Sequence, residues 1–346
     1  GERYFLEVNG ANSSADVYLN GVHLAHHDGG YSTWRVDLTE ALRDKNLLTI
    51  MVDNSVNETV YPQHADFTFY GGLYRKINII AVPNTHFELL QHGHPGIHVT
   101  ALVDGKNARV SINAPAVNLQ SGDQIRFRIL DHEGNVAAEQ IGCGNFVIEN
   151  AHLWDGKKDP YLYTAEATIL RGEVELDTVT TRFGCRSFTV DPEKGFILNG
   201  REYPLHGVCR HQDRWQIGNA LLPEHHREDM DLICELGANT IRLAHYQHDQ
   251  YFYDLCDERG MVVWAEIPYI SRHMNTGNKN TVQQLQELVI QCYNHPSIVV
   301  WGLSNEITMV KSKDADILQH HKRLNDLVHE MDGTRLTTMA YFSLCK

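Results

Sequence analysis

The stretch Ile298-Val-Val-Trp-Gly-Leu-Ser-Asn-Glu306 decides the fold, because it is apolar for six residues and then turns polar. Continuous apolar runs are typical of strands that are buried on both faces of a parallel sheet. In a barrel of such strands the chemistry lies at the carboxyl ends of the strands. Four further strands are predicted, 207–211, 239–244, 261–267 and 336–342, and polar residues lie at the ends of the first three.

Helical signals separate these strands. Pro223 and Gly237 mark the start and the end of the first predicted helix. Alternation of strands and helices predicts a (β/α)8 barrel over 186–346, with about five of the eight strands that a whole barrel contains. A dinucleotide-binding fold is disfavoured because G-x-G-x-x-G does not follow the first strand. The remaining predicted helices are 248–259, 281–293 and 314–331.

The first 185 residues contain short strand-like segments and turns. Asn20-Gly21 between two such segments predicts a tight hairpin, because both positions of its turn need a positive φ. Residues 1–86 are predicted to form a β-sandwich. Residues 87–185 are predicted to form an immunoglobulin-like β-sandwich, although the Cys–Trp–Cys spacing of true immunoglobulin domains is absent.

Composition limits the partners of this chain. Its 346 residues include 30 basic and 44 acidic side chains, a formal charge of −14, which argues against nucleic-acid binding. No apolar run is long enough to cross a membrane. Seven scattered cysteines form no metal or disulfide pattern. They favour a reducing, cytoplasmic location, with a periplasmic or secreted one left open.

Polar residues at the predicted strand ends include the candidate catalytic groups. Glu306 follows the most apolar strand, so its carboxyl should meet a pocket partly shielded from water, as suits a general acid. Asn305 can donate and accept hydrogen bonds to a ligand rich in hydroxyls. His211 and His245 end two neighbouring strands, and Arg242 precedes the second of these ends. The alternatives are that Glu306 is a solvated carboxylate, that His211 and His245 are structural histidines, and that Arg242 forms a structural salt bridge.

Other chemistries match the sequence poorly. His245-x-x-His248 lacks the i, i+4 spacing of a zinc-binding helix. Gly302-Leu-Ser-Asn-Glu306 has Glu where the serine-hydrolase motif needs Gly. Tyr246 and Trp264, near strand ends, are predicted either to stack against a sugar or to belong to the core.

Several motifs resemble glycoside hydrolase family 2. Asn294-His-Pro-Ser-Ile-Val-Val-Trp-Gly-Leu-Ser-Asn-Glu306 resembles its acid/base signature. Gly207-Val-Cys-Arg-His-Gln-Asp-Arg214 resembles its first barrel strand in a form associated with β-galactosidases, and 242–246 resembles its second. In the first sandwich, 16–21 and 71–75 resemble its sugar-binding domain. The resemblance spans essentially the whole chain and implies the family's three domains, truncated at both ends. These are a jelly-roll sandwich over 1–86 without its first strands, an immunoglobulin-like sandwich over 87–185 and a (β/α)8 barrel over 186–346.

This resemblance implies retaining hydrolysis by two carboxylates. Glu306 would protonate the leaving oxygen and then act as base toward water. The nucleophile, a second glutamate after the seventh strand, is expected beyond residue 346, so the isolated chain is expected not to hydrolyse a nitrophenyl galactoside. The implied substrate-binding residues are Asn305 at the 2-hydroxyl, His211 and His245 at other hydroxyls, Arg242 beside the nucleophile, and Asp66 from the sandwich.

The leading hypothesis is a β-galactosidase that acts on a β-galactoside or a related oligosaccharide. A β-glucuronidase of the same family is the first alternative, and a non-catalytic carbohydrate-binding or complementation fragment is the second. The Glu-x-His magnesium ligands of related β-galactosidases are not reproduced in Ile267-Pro-Tyr-Ile-Ser-Arg-His273. No cofactor is therefore predicted, with Mg²⁺ and Na⁺ left open, and a homo-oligomer is also left open.

Overall fold

The computed structural model describes residues 1–308 and 316–342. The first unit is a β-sandwich whose core contains Leu6, Val17 and Trp34. Asn20 and Gly21 have φ values of 54° and 81°, so they form the predicted tight turn. The strands are β1 (Glu2–Val8), β2 (Ala11–Asn12), β3 (Ser14–Leu19), β4 (Val22–Asp28), β5 (Trp34–Asp37), β6 (Leu48–Asp53), β7 (Gly72–Leu73) and β8 (Ile77–Pro83); they pair as β5-β1-β8, β4-β3-β6 and β2-β7.

The second unit is a sandwich with the sheets β14-β13-β16-β17 and β10-β11-β15. Three of its strands that are longer than two residues, β14, β15 and β17, have no counterpart among the sequence-predicted strands. The sequence pattern did not reveal these strands because few of their residues are buried, so they lack the alternation of apolar and polar residues on which the prediction depends. The strands are β9 (His86–Phe87), β10 (His98–Asp104), β11 (Asn107–Asn113), β12 (Ala116–Val117), β13 (Asp123–Leu130), β14 (Val136–Ile141), β15 (Asn145–Ile148), β16 (Tyr163–Arg171) and β17 (Val174–Phe183).

The third unit follows a small antiparallel sheet of β18 (Phe188–Asp191), β19 (Gly195–Leu198) and β20 (Arg201–Glu202). Its five strands form one parallel sheet in chain order, as a barrel requires, so the predicted incomplete barrel is confirmed. Of the predicted last helix, 314–315 lies outside the described residues. The elements are β21 (Gly207–Arg210), α1 (Pro223–Glu235), β22 (Thr240–Leu243), α2 (Gln250–Arg259), β23 (Val262–Glu266), α3 (Asn278–Cys292), β24 (Ile298–Asn305), α4 (Ile317–Met331) and β25 (Leu336–Ala340).

Helix α3 holds the first sandwich against the barrel. The amide of buried Gln291 accepts the backbone N–H of Thr33 at 3.0 Å and donates to its carbonyl at 2.8 Å. Buried Glu287 lies 2.8 Å from His27 of β4. These contacts fix the sandwich so that its loop at 64–66 reaches the carboxyl end of the barrel strands. None of the described helices combines the length and the apolar composition that crossing a membrane requires.

Candidate active site

Polar side chains meet around a cavity of about 610 Å³ at the carboxyl end of the barrel strands. The ends of β21, β22 and β24 form most of its wall, and a loop of the first sandwich completes it. Six of the eight residues proposed from the sequence line this cavity. The lining comprises His64, Ala65, Asp66, Cys209, His211, Arg242, Ala244, His245, Ile270, Ser271, Asn305 and Glu306.

Glu266, the last residue of β23, organises this site although it was not proposed from the sequence. Its wholly buried carboxylate accepts hydrogen bonds from Nε and Nη2 of Arg242, both at 3.0 Å. Nδ1 of His245 lies 2.5 Å from the same carboxylate. Gly302 leaves room for this group, because a Cβ there would lie 2.5 Å from Cβ of Glu266 and 2.4 Å from Nε1 of Trp264. Among the described residues, the carboxylate that pairs with Arg242 is therefore the buried one of Glu266.

Asn305 and Glu306 occupy the end of β24. Nη2 of Arg242 donates to Oδ1 of Asn305 at 2.6 Å, which leaves the amide NH₂ of Asn305 as a donor toward a ligand. Asn305 is buried, whereas Glu306 is half-buried at the cavity wall. The backbone N–H of Glu306 donates to the carbonyl of Ala340 at 2.9 Å. A carboxyl that can exchange a proton thus lies next to an oriented amide.

His211 and Asp66 bring the barrel and the sandwich together at the cavity. The ring of His211 lies 4.9 Å from that of Phe67 and 5.1 Å from that of His245. Burial, reinforced by the neighbouring His245, lowers the pKa of His211, so its ring is neutral at pH 7. A neutral imidazole can both donate to and accept from sugar hydroxyls. Asp66 is exposed and adds an acceptor from the sandwich side.

Tyr246 and Trp264, the other two proposed residues, are outside the set of described residues that line the cavity. Tyr246 is buried and stacks on Tyr31 of the sandwich with ring centroids 4.2 Å apart. Its hydroxyl accepts the backbone N–H of Gln212 at 3.1 Å, and burial raises its pKa. Trp264 lies under the guanidinium of Arg242, 4.5 Å from the ring centroid. Both residues therefore support the polar groups that line the cavity.

Three described side chains lie close enough to one another to hold a metal ion: Asp254, Asp257 and His295. Their charges are already paired, either within the group or with Arg182. His295 Nδ1 lies 2.6 Å from Asp257, and Arg182 lies 2.9 Å from Asp254. Burial alone would lower the pKa of His295, but the attraction of Asp257 outweighs it and raises that pKa. This group is an ion-pair network, and its residues are not among those that line the cavity.

Three family models match the chain in the order of its three structural units. The glycosyl hydrolase 2 galactose-binding domain-like model matches residues 1–81, and the glycosyl hydrolases family 2 model matches 94–186. The family 2 TIM barrel domain model matches 190–343. The chain belongs to glycosyl hydrolase family 2. The resemblance found in the strand-end motifs is thereby confirmed.

Known family 2 proteins carry two different activity names. A β-glucuronidase of Bacteroides fragilis is 37% identical over 98% of this chain. A crystal structure of an FMN-binding β-glucuronidase from Faecalibacterium prausnitzii L2-6 superposes with a TM-score of 0.97 at 43% identity, covering 100% of this chain and 55% of that one. A β-galactosidase of Thermoanaerobacterium thermosulfurigenes is 29% identical over 96% of this chain. The chain covers 52% of the first relative and 48% of the last, about half of their length.

Proposed function

We propose that the whole protein is a retaining β-glucuronidase and that this chain supplies its acid/base residue, Glu306. The observation that carries the proposal is the placement of Glu306 beside Asn305, whose amide is oriented by Arg242 and Glu266. The choice of sugar is supported by the more similar relatives, which are named β-glucuronidases at 37% and 43% identity. The β-galactosidase that the motifs favoured has weaker support, at 29% identity to a β-galactosidase and 34% to a crystal structure of a putative one from Bacteroides fragilis.

In this mechanism Glu306 donates its proton to the glycosidic oxygen while a second carboxylate attacks the anomeric carbon. The resulting carboxylate of Glu306 then removes a proton from the water that releases the sugar. Glu266 is wholly buried and is not among the described residues that line the cavity, so we assign the nucleophile to a residue outside this sequence. The amide NH₂ of Asn305 binds the 2-hydroxyl, and neutral His211 binds another hydroxyl.

The choice of sugar is tested by comparing 4-nitrophenyl β-D-glucuronide with 4-nitrophenyl β-D-galactoside on the whole enzyme. We expect kcat/KM to favour the glucuronide by at least about 100-fold, because a site built around a charged substrate group leaves its own polar groups unpaired when that group is missing. Preference for the galactoside would restore the β-galactosidase hypothesis. Hydrolysis of neither substrate would favour a non-catalytic carbohydrate-binding protein.

We also propose that the protein binds FMN. The support is the 43% identity, over 100% of this chain, to a β-glucuronidase described as FMN-binding. Bound FMN would supply a planar redox-active ring and a phosphate, whereas glycoside hydrolysis transfers no electrons, so we place FMN away from Glu306. Titration of FMN with the whole protein is expected to give a saturable change in flavin fluorescence. An unchanged signal at micromolar protein would contradict this proposal.

A further inference from the structure

A second cavity, of about 660 Å³, lies between the first sandwich and helices α1 and α2. We call it the interdomain cleft. Its apolar part includes exposed Leu73 from β7 and exposed Leu222 directly before α1, together with the ring of Tyr251. Its polar part includes the cations Arg75, Lys76 and Arg227. None of the described residues that line it also lines the cavity at Glu306.

The interdomain cleft is lined by more cationic side chains than carboxylates. Lys76 is exposed and has no ion pair with any described residue, and Nη1 of Arg227 donates only to the hydroxyl of Tyr251, at 2.9 Å. The two carboxylates in the lining have other partners. Asp249 accepts the backbone N–H of Tyr251 as the N-cap of α2, and Asp254 pairs with Arg182 at 2.9 Å. Two surface cations are therefore available to an anionic ligand.

Two buried polar atoms in the lining of the interdomain cleft have no hydrogen-bond partner among the described residues. They are Oε1 of Gln247 and Nε of Arg75. Gln247 is 4% exposed, and its amide nitrogen is held by Gln291 at 2.8 Å. Nε of Arg75 lies 3.7 Å from Asp249, which is too far for a hydrogen bond. Buried groups of this kind are normally satisfied, so a donor and an acceptor are expected to meet them here.

His226 of α1 adds a donor of fixed orientation to the interdomain cleft. A guanidinium N–H of Arg210 donates to its Nδ1 at 3.1 Å, so the proton of the neutral ring is on Nε2. Burial and, to a smaller extent, the positive charge of nearby Arg210 lower the pKa of His226 to about 4, which keeps the ring neutral at physiological pH. The lining therefore combines a neutral N–H donor with the cations and the apolar side chains.

We propose that the interdomain cleft binds a planar organic phosphate, with its phosphate at Lys76 and Arg227 and its ring against Leu73, Leu222 and Tyr251. Lys and Arg are the side chains that bind phosphate most strongly, and Arg can do so with two parallel hydrogen bonds. The cleft has the size of ordinary small-molecule sites, which hold about 300–1,000 Å³. This inference depends on the FMN proposal only for the identity of the planar ring.

The test measures binding of three probes to the whole protein and to a Lys76→Ala/Arg227→Ala variant. The probes are FMN, riboflavin, which has the ring without the phosphate, and 4-nitrophenyl phosphate, a smaller aryl phosphate. Fluorescence reports the flavins and calorimetry reports the aryl phosphate. We expect the double substitution to weaken the binding of FMN and of 4-nitrophenyl phosphate at least tenfold. The affinity for riboflavin should stay unchanged. Lys106→Ala, an exposed lysine in the turn between β10 and β11, is the matched control and should change nothing.

The outcomes separate the two proposals. If the parent protein binds FMN and the double variant binds it equally well, the cleft is excluded and the FMN proposal stands. If FMN does not bind but 4-nitrophenyl phosphate binds and is lost in the double variant, the cleft stands and the flavin identity is wrong. If none of the probes binds the parent protein, both proposals are wrong. Hydrolysis of 4-nitrophenyl β-D-glucuronide should remain at the parent rate throughout.

Discussion

Replacing Glu306 by Gln in the whole enzyme is expected to lower kcat for glucuronides with poor leaving groups by about 10²–10⁴-fold, the usual contribution of a general acid. The amide keeps the shape of the side chain but can neither donate the proton to the glycosidic oxygen nor remove one from water. A 4-nitrophenyl leaving group needs no proton, so formation of the covalent intermediate should survive, and its hydrolysis should limit the rate. Added azide should then restore much of the turnover with 4-nitrophenyl β-D-glucuronide.

The control for this variant is Glu193→Gln, which alters an exposed carboxylate in the turn between β18 and β19. It should leave kcat, KM and the azide response unchanged. Equal loss of rate on good and poor leaving groups in Glu306→Gln, with no response to azide, would remove Glu306 from the acid/base role.

Replacing Glu266 by Gln is expected to impair both folding and catalysis. The carboxylate accepts two hydrogen bonds from Arg242 and contacts His245, whereas an amide offers one acceptor and turns its NH₂ toward these donors. Breaking a buried pair leaves an uncompensated charge, so we expect a loss of about 3–5 kcal/mol in the free energy of unfolding. The measurement is urea unfolding of the whole enzyme together with kcat/KM.

Glu266 touches no substrate in this account, so its part in catalysis is positioning. It holds Arg242, which in turn orients Asn305 toward the 2-hydroxyl. The loss in kcat/KM should therefore shrink when the substrate is a 2-deoxyglucuronide. Glu287→Gln is a matched control, because Glu287 is also buried but lies between α3 and the sandwich. Glu287→Gln should lower the free energy of unfolding, and its effect on kcat/KM should be the same with and without the 2-hydroxyl of the substrate. If the loss in kcat/KM depended on the 2-hydroxyl equally in both variants, the positioning role of Glu266 would be contradicted.

Local patterns were sufficient to predict much of this fold and part of the site. The Asn20-Gly21 turn and the five barrel strands follow from propensity and periodicity, which act over a few residues. The position of Glu306 at a strand end placed it at the cavity for the same reason. Strand β17 was missed because charged residues interrupt its apolar pattern, and its pairing with β16 stabilises it as a strand.

Contacts between distant residues account for what the sequence did not reveal. Tyr246 is at a strand end, as proposed, but Tyr31 covers it from the sandwich, and nothing near residue 246 indicates that contact. Glu266 is also at a strand end, but its buried carboxylate is bound by Arg242 of the neighbouring strand and by His245 just beyond that strand. The motifs favoured a galactoside, whereas the relatives at 37% and 43% identity are named β-glucuronidases. Those motifs contain the residues proposed to bind the hydroxyls and the reacting centre that both sugars share, so they do not separate the two substrates.

The most direct test of the central claim, that Glu306 is the acid/base residue, is the anomeric configuration of the azide product. Glu306→Gln is incubated with 4-nitrophenyl β-D-glucuronide and azide, and the glucuronyl azide is examined by NMR. Azide attacking a covalent intermediate on the side vacated by the leaving group gives the β-azide, which our account predicts. An α-azide would mean direct attack from the opposite side, as when the nucleophile has been removed, and would contradict the role assigned to Glu306.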